Sequence, residues 1–83
     1  MKGGDMKSGL LWFDNDHKRP LAAKIDEAAR RYAEKFGRAP NTCFVNPAAL
    51  EKEVVQLEQL RVIGAHNILP NHFWLGVMDR QTQ

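Results

Sequence analysis

Asp14 and Asp16 stand two residues apart, directly behind the apolar run Leu10-Leu11-Trp12-Phe13 and directly ahead of His17-Lys18-Arg19. Two carboxylates so spaced at the end of a strand can share a hard cation such as Mg²⁺, and in open α/β sheets ligands gather beyond the carboxyl ends of strands. The basic residues that follow suit the opposite charge, because cations ahead of a helix N-terminus can help it hold an anion. Asp14, Asp16, His17, Lys18 and Arg19 are therefore the candidate ligand-binding residues. A plainer role competes with that one. Asp side chains accept hydrogen bonds from amides two residues on, so both aspartates also suit Asx turns that close a strand and cap the next helix. A calcium loop is excluded, since Lys18 and Arg19 occupy positions that need an oxygen ligand and a glycine.

The remaining reactive side chains are sparse. His66 and His72 lie six residues apart around a turn, but a structural zinc site needs four ligands, and Cys43 belongs to a separate apolar segment. Within that segment the thiol is expected to behave as a small buried hydrophobe with a raised pKa rather than as a nucleophile. No residue is assigned a catalytic role and no cofactor is expected.

The elements that position these residues follow from periodicity. Leu10 to Phe13 is a short continuous apolar run, which predicts a central strand buried on both faces. Leu21, Ile25, Ala28, Ala29, Tyr32, Ala33 and Phe36 form one stripe of 3.6 period, with Pro20 at its start and Gly37 and Pro40 at its end. Lys24 and the other charged residues of this segment are placed on the solvent side, with Asp26 and Arg30, Glu27 and Arg31, and Arg30 and Glu34 at ion-pair spacing. Thr42 to Val45 predicts a second strand. Asn46-Pro47 is an N-cap followed by a proline at N1, and Leu50, Val54 and Leu57 predict a helix from Pro47 to about Gln59. Arg61 to Ile63, interrupted at Gly64, and Phe73 to Val77 predict two last strands, paired antiparallel across Leu69-Pro70-Asn71.

The resulting expectation is a small α/β (or α+β) domain of order β-α-β-α-β-β. Its mixed four-stranded sheet is covered by two helices, on one face or on two; the double-sided apolar first strand favours two. Residues 1–8 are read as a mobile lead, 9–78 as the domain and 79–83 as a frayed tail. Alternation in the last strand points Phe73 and Leu75 one way and Trp74, Gly76 and Met78 the other. His72, Phe73, Trp74 and Met78 are accordingly the candidate interface residues, because tryptophan and methionine concentrate where proteins associate.

Two families share local patterns with the chain. Leu10 to Asp16 resembles the first motif of haloacid-dehalogenase phosphotransferases, whose two aspartates act as nucleophile and acid/base; the later Ser/Thr, Lys and paired acidic motifs have no counterparts here. Asn46-Pro47 through Leu75-Gly76 resembles part of a phage or encapsulin coat-protein fold, which is several times longer. More broadly, Leu11 to Asp16, Arg19-Pro20-Leu21, Lys24-Ile25, Tyr32, Lys35-Phe36-Gly37, Pro40-Asn41, Cys43, Pro47 and Leu69 to Trp74 are similar to a group of short uncharacterised bacterial proteins. That likeness implies no activity.

Composition narrows the partners. The 83 residues weigh 9.5 kDa and carry 12 basic and 10 acidic side chains, a balance of +2 that is too small to imply a nucleic-acid partner. From Phe44 to Val77 only Lys52 and Arg61 are basic, so the aromatics there are not interleaved with cations as base stacking requires. No apolar run approaches the roughly 18 residues of a membrane span, and one cysteine cannot form an internal disulfide. A cytoplasmic protein that binds another protein or its own copy, as a homodimer, is the expected function; a small ligand, anion or metal at Asp14 to Arg19 is the alternative. A chain of this size buries only about 63% of its unfolded surface, so its large aromatics compete for little interior.

Overall fold

The computed structural model describes residues 9–78; the expected mobile lead and frayed tail fall outside them. Leu10–Phe13 forms β1, Leu21–Phe36 α1, Thr42–Val45 β2, Pro47–Lys52 α2, Arg61–Gly64 β3 and His72–Gly76 β4. The order β-α-β-α-β-β is as the sequence predicts.

α1 is the most locally determined element. Its stripe buries Leu21, Ile25, Ala28 and Tyr32, and Gly37 ends it in the left-handed conformation (φ 79°), donating to the Ala33 carbonyl at 2.8 Å. Of the expected ion pairs only Asp26 and Arg30 meet, at 3.5 Å; Arg31 reaches Glu34 instead, and Glu27 turns to Arg19.

The sheet runs β1-β4-β2-β3, with β4 antiparallel to both β1 and β2, and β2 parallel to β3. This corrects two expectations. β1 is an edge strand, not a central one, because β4 inserts between β1 and β2. β3 and β4 form no hairpin, because β2 lies between them and the 65–71 loop carries the chain across. Asn46 clamps that loop: its side chain caps α2 at the Ala48 amide (2.9 Å) and donates to the Ile68 carbonyl (2.8 Å). Asn71 completes the return with φ 66°.

Cross-strand register sorts the side chains into rows. Leu10, Leu75, Cys43 and Val62 form one row, and Trp12, Phe73, Val45 and Gly64 the next, all on the face that α1 and α2 cover. Gly64 lies against α2, where an added Cβ would meet Pro47 and Leu50 at 3.4–3.5 Å. Ile25, Cys43, Val45 and Leu75 are fully buried here, and removing a Leu, Ile or Val side chain from water stabilises by roughly 1.5–3 kcal/mol. Both helices thus lie on one face, the arrangement that the first strand disfavoured. Trp12 is packed on this side with Arg31 at 6.0 Å from its ring, and its indole N–H has no partner among the described residues.

α2 is a short turn of helix rather than the span to Gln59. Val54 and Val55 disfavour helix through their β-branching, and Glu53 leaves in an extended conformation (φ −138°, ψ 137°). Val54 is then fully in solvent, while Val55 and Leu57 pack on the core from an irregular segment.

Candidate functional site

The turn from Asp14 to Arg19 satisfies itself. Asp14 Oδ1 accepts from the Asp16 amide (3.0 Å) and Asp16 Oδ1 from the Lys18 amide (2.9 Å), which are the two Asx turns. The second Asp14 oxygen, Oδ2, accepts from Arg19 Nη1 at 2.9 Å, and the same guanidinium nitrogen lies 2.8 Å from Glu27 Oε1. Arg19 Nη2 donates to the Ala23 carbonyl at 3.3 Å. Asp14 and Asp16 are therefore spent on local bonds and do not converge as a cation pair, and His17 and Lys18 are exposed. Neither aspartate caps α1. Its N-terminal residue Pro20 offers no side-chain cap, and the Leu21 amide instead donates to Glu53 Oε1 at 2.8 Å.

Beside this turn a cleft of about 430 Å³ opens at the ends of β2 and β4, against the start of α1. His17, Arg19, Lys24, Lys52 and His72 bring nitrogen to its wall, and Glu53 is its only acidic side chain. Lys24 is the residue that sequence reasoning misplaced. It is 9% exposed, and its ammonium has a single long hydrogen bond, 3.4 Å, to the Asp14 carbonyl. Its spacing of three from Leu21 and one from Ile25 puts it at the margin of the apolar stripe, a position the periodicity alone assigns to neither side. Glu53 carried no sequence signal, since the contact it makes spans 32 residues.

The second candidate surface is the sheet face that no described helix covers. Leu11, Trp74, Phe44 and Ile63 line up across all four strands on it, with Phe13 beside His72 at one end, ring centroids 4.9 Å apart. Leu11 and Phe13 are 58% and 54% exposed. The Trp74 indole packs directly against Gly9, which has no side chain there: a Cβ would come within 2.8–2.9 Å of the indole and 2.7 Å of the Leu75 carbonyl. Of the interface residues expected from sequence, His72 and Trp74 sit on this face and Met78 just past its end. Phe73 does not, being 2% exposed in the core on the opposite side. Leu11 and Phe13 were missed because their strand was read as buried on both faces; Phe44 and Ile63 join them only through the strand order, which the sequence does not specify.

The other reactive groups stay apart. Cys43 is in the core of β2, where burial pushes its thiol from the ordinary 9.0 up to about 12, and His66 is exposed in the 65–71 loop. Among the described residues no three His, Cys, Asp or Glu side chains gather as a metal site, and no helix is long and apolar enough to cross a membrane. No protein-family profile matches the chain, and no curated protein or solved structure resembles it closely enough to mark a relationship.

Proposed function

We propose that the protein is a self-associating module of the cytoplasm, in which the open sheet face docks onto the same face of a second copy. The observation that carries this reading is the apolar row Leu11-Trp74-Phe44-Ile63, flanked by Phe13 and left without a described covering element. Sheets cover apolar faces by packing against another layer, and two twisted sheets stack about 10 Å apart with strands inclined by about 30°. A second copy suits the face better than a charged partner does. The row carries no ionised group, so it offers no sign to select one, and a two-fold axis needs only a patch complementary to itself.

Area sets the strength. Four strands about 4.8 Å apart and about 13 Å long present a footprint of roughly 250 Å² before side-chain relief. Stable dimers bury about 800 Å² per partner, so this face supports a weak, concentration-dependent dimer with Kd in roughly the micromolar to millimolar range. The lone buried thiol of Cys43 suits a reducing compartment.

Sedimentation velocity across a hundredfold concentration range tests the reading. The wild type is expected to shift towards dimer at high concentration, and Leu11→Lys with Phe13→Asp, both at exposed positions, is expected to hold it monomeric without loss of fold. A wild type that stays monomeric throughout, or a dimer indifferent to both substitutions, overturns it.

A further inference from the structure

We propose that His72 makes docking of the open sheet face onto a second copy depend on pH, holding the two copies together while neutral and releasing them when charged; the inference rests on the self-association proposed above. His72 is the cross-strand partner of Phe13 and stands beside the apolar row, two residues from Trp74 on the same face. The two rings lie against each other, centroids 4.9 Å apart and planes inclined by 50°. Phe13 is 54% exposed and His72 half-buried, so any layer that covers Phe13 comes down on His72 as well. A neutral imidazole tolerates that loss of water, whereas an unpaired charge resists it.

One ring nitrogen is already committed. Nδ1 lies 2.8 Å from the Pro70 carbonyl, which can only accept, so Nδ1 carries a proton in either charge state and the ring need not turn on titration. The proton gained on acidification goes to Nε2, and the change falls on the face rather than on the fold. No group around the ring stands ready to balance it. On the β1 side Asp14 is bonded to Arg19 and to the Asp16 amide, and Glu27 is bonded to the same guanidinium. On the β2 side Asn46 is uncharged, and in the 65–71 loop only His66 titrates. Across the cleft His17, Lys24 and Lys52 are basic, and the Glu53 carboxylate is bonded to the Leu21 amide. Among the described residues no carboxylate forms an ion pair with His72.

The free copies thus bind more protons than the docked ones, and the dimer weakens as pH falls through the range near 6.5 in which histidine ordinarily titrates. One unit below that range an imidazole is charged about ten times as often as neutral, so two copies that must both be neutral lose at most about a hundredfold in apparent affinity. Sedimentation velocity of the full chain at pH 7.5 and 5.5, at one ionic strength, tests the inference. The dimer is expected to weaken by about tenfold to a hundredfold at the lower pH, with the same circular-dichroism spectrum at both. His72→Gln and His72→Phe, neutral throughout, are expected to dimerise equally at the two values, while His17→Gln and His66→Gln, both at exposed positions, keep the response. A wild-type dimer with one Kd at both pH values, a response that survives in either His72 variant, or loss of the dimer in both variants at pH 7.5 overturns the switch and leaves self-association standing. A wild type monomeric at both pH values overturns the two together.

Discussion

The carboxylate of Glu53 caps the helix that begins at Leu21, through a 2.8 Å hydrogen bond between residues 32 positions apart. The bond couples the exit of α2 to the entrance of α1. It satisfies one of the orphan amides of the first turn and sets negative charge against the positive end of the helix dipole. α1 has no acidic residue in its first turn and no cap from its own side, so this distant carboxylate does both jobs.

Glu53→Ala is accordingly expected to destabilise the fold by about 0.5–2 kcal/mol, the usual cost of removing a cap. Glu53→Gln keeps an acceptor and loses only the charge, about 0.3–1 kcal/mol. Urea denaturation of the two variants beside the wild type separates the contributions; equal stability of all three would show the contact to be idle.

Gly9→Ala tests the seating of Trp74. The new Cβ would press on both the indole and the Leu75 carbonyl at under 3.0 Å, and the carbonyl cannot yield without moving β4. A loss of about 1–3 kcal/mol is expected, as for overpacking elsewhere, together with a red shift of tryptophan emission as the indole lifts from the sheet. An unchanged spectrum and melting point would place the indole elsewhere.

Cys43 makes stability depend on alkaline pH. The unfolded chain releases the thiol proton near the ordinary 9.0, while the folded chain holds it up to about 12. The stabilisation from this group is therefore complete below pH 9 and is lost as pH rises from 9 towards 12, at about 1.4 kcal/mol per pH unit. Cys43→Ala lacks this slope, although it is less stable at neutral pH through the cavity it leaves. Urea midpoints of both proteins between pH 8 and 10 give the comparison, and parallel curves would show that the thiol is not buried.

The elements of this protein were legible from its sequence wherever a few adjacent residues decide them. The stripe of α1, its stop at Gly37, the cap at Asn46 and the Asx turns at Asp14 and Asp16 all rest on contacts within about four residues, which spacing and side-chain type specify directly. The length of α2 was misread, because the apolar spacing of Leu50, Val54 and Leu57 outweighed the β-branching of Val54 and Val55, and because the bond from Glu53 to the Leu21 amide across 32 residues leaves no mark in the sequence. Strand order was decided only by tertiary structure. An apolar run such as Leu10 to Phe13 is written the same way whether a second layer of its own chain covers it or a second molecule does. The insertion of β4 beside β1 and the gathering of both helices on one face turned Leu11 and Phe13 from expected core into an open apolar surface beside Trp74. The same long-range packing drew Lys24 inside and set Glu53 opposite Leu21. Sequence thus determined the local pieces and the candidate turn; the open face argued for above exists only where distant segments meet, since no spacing rule specifies which strands lie side by side.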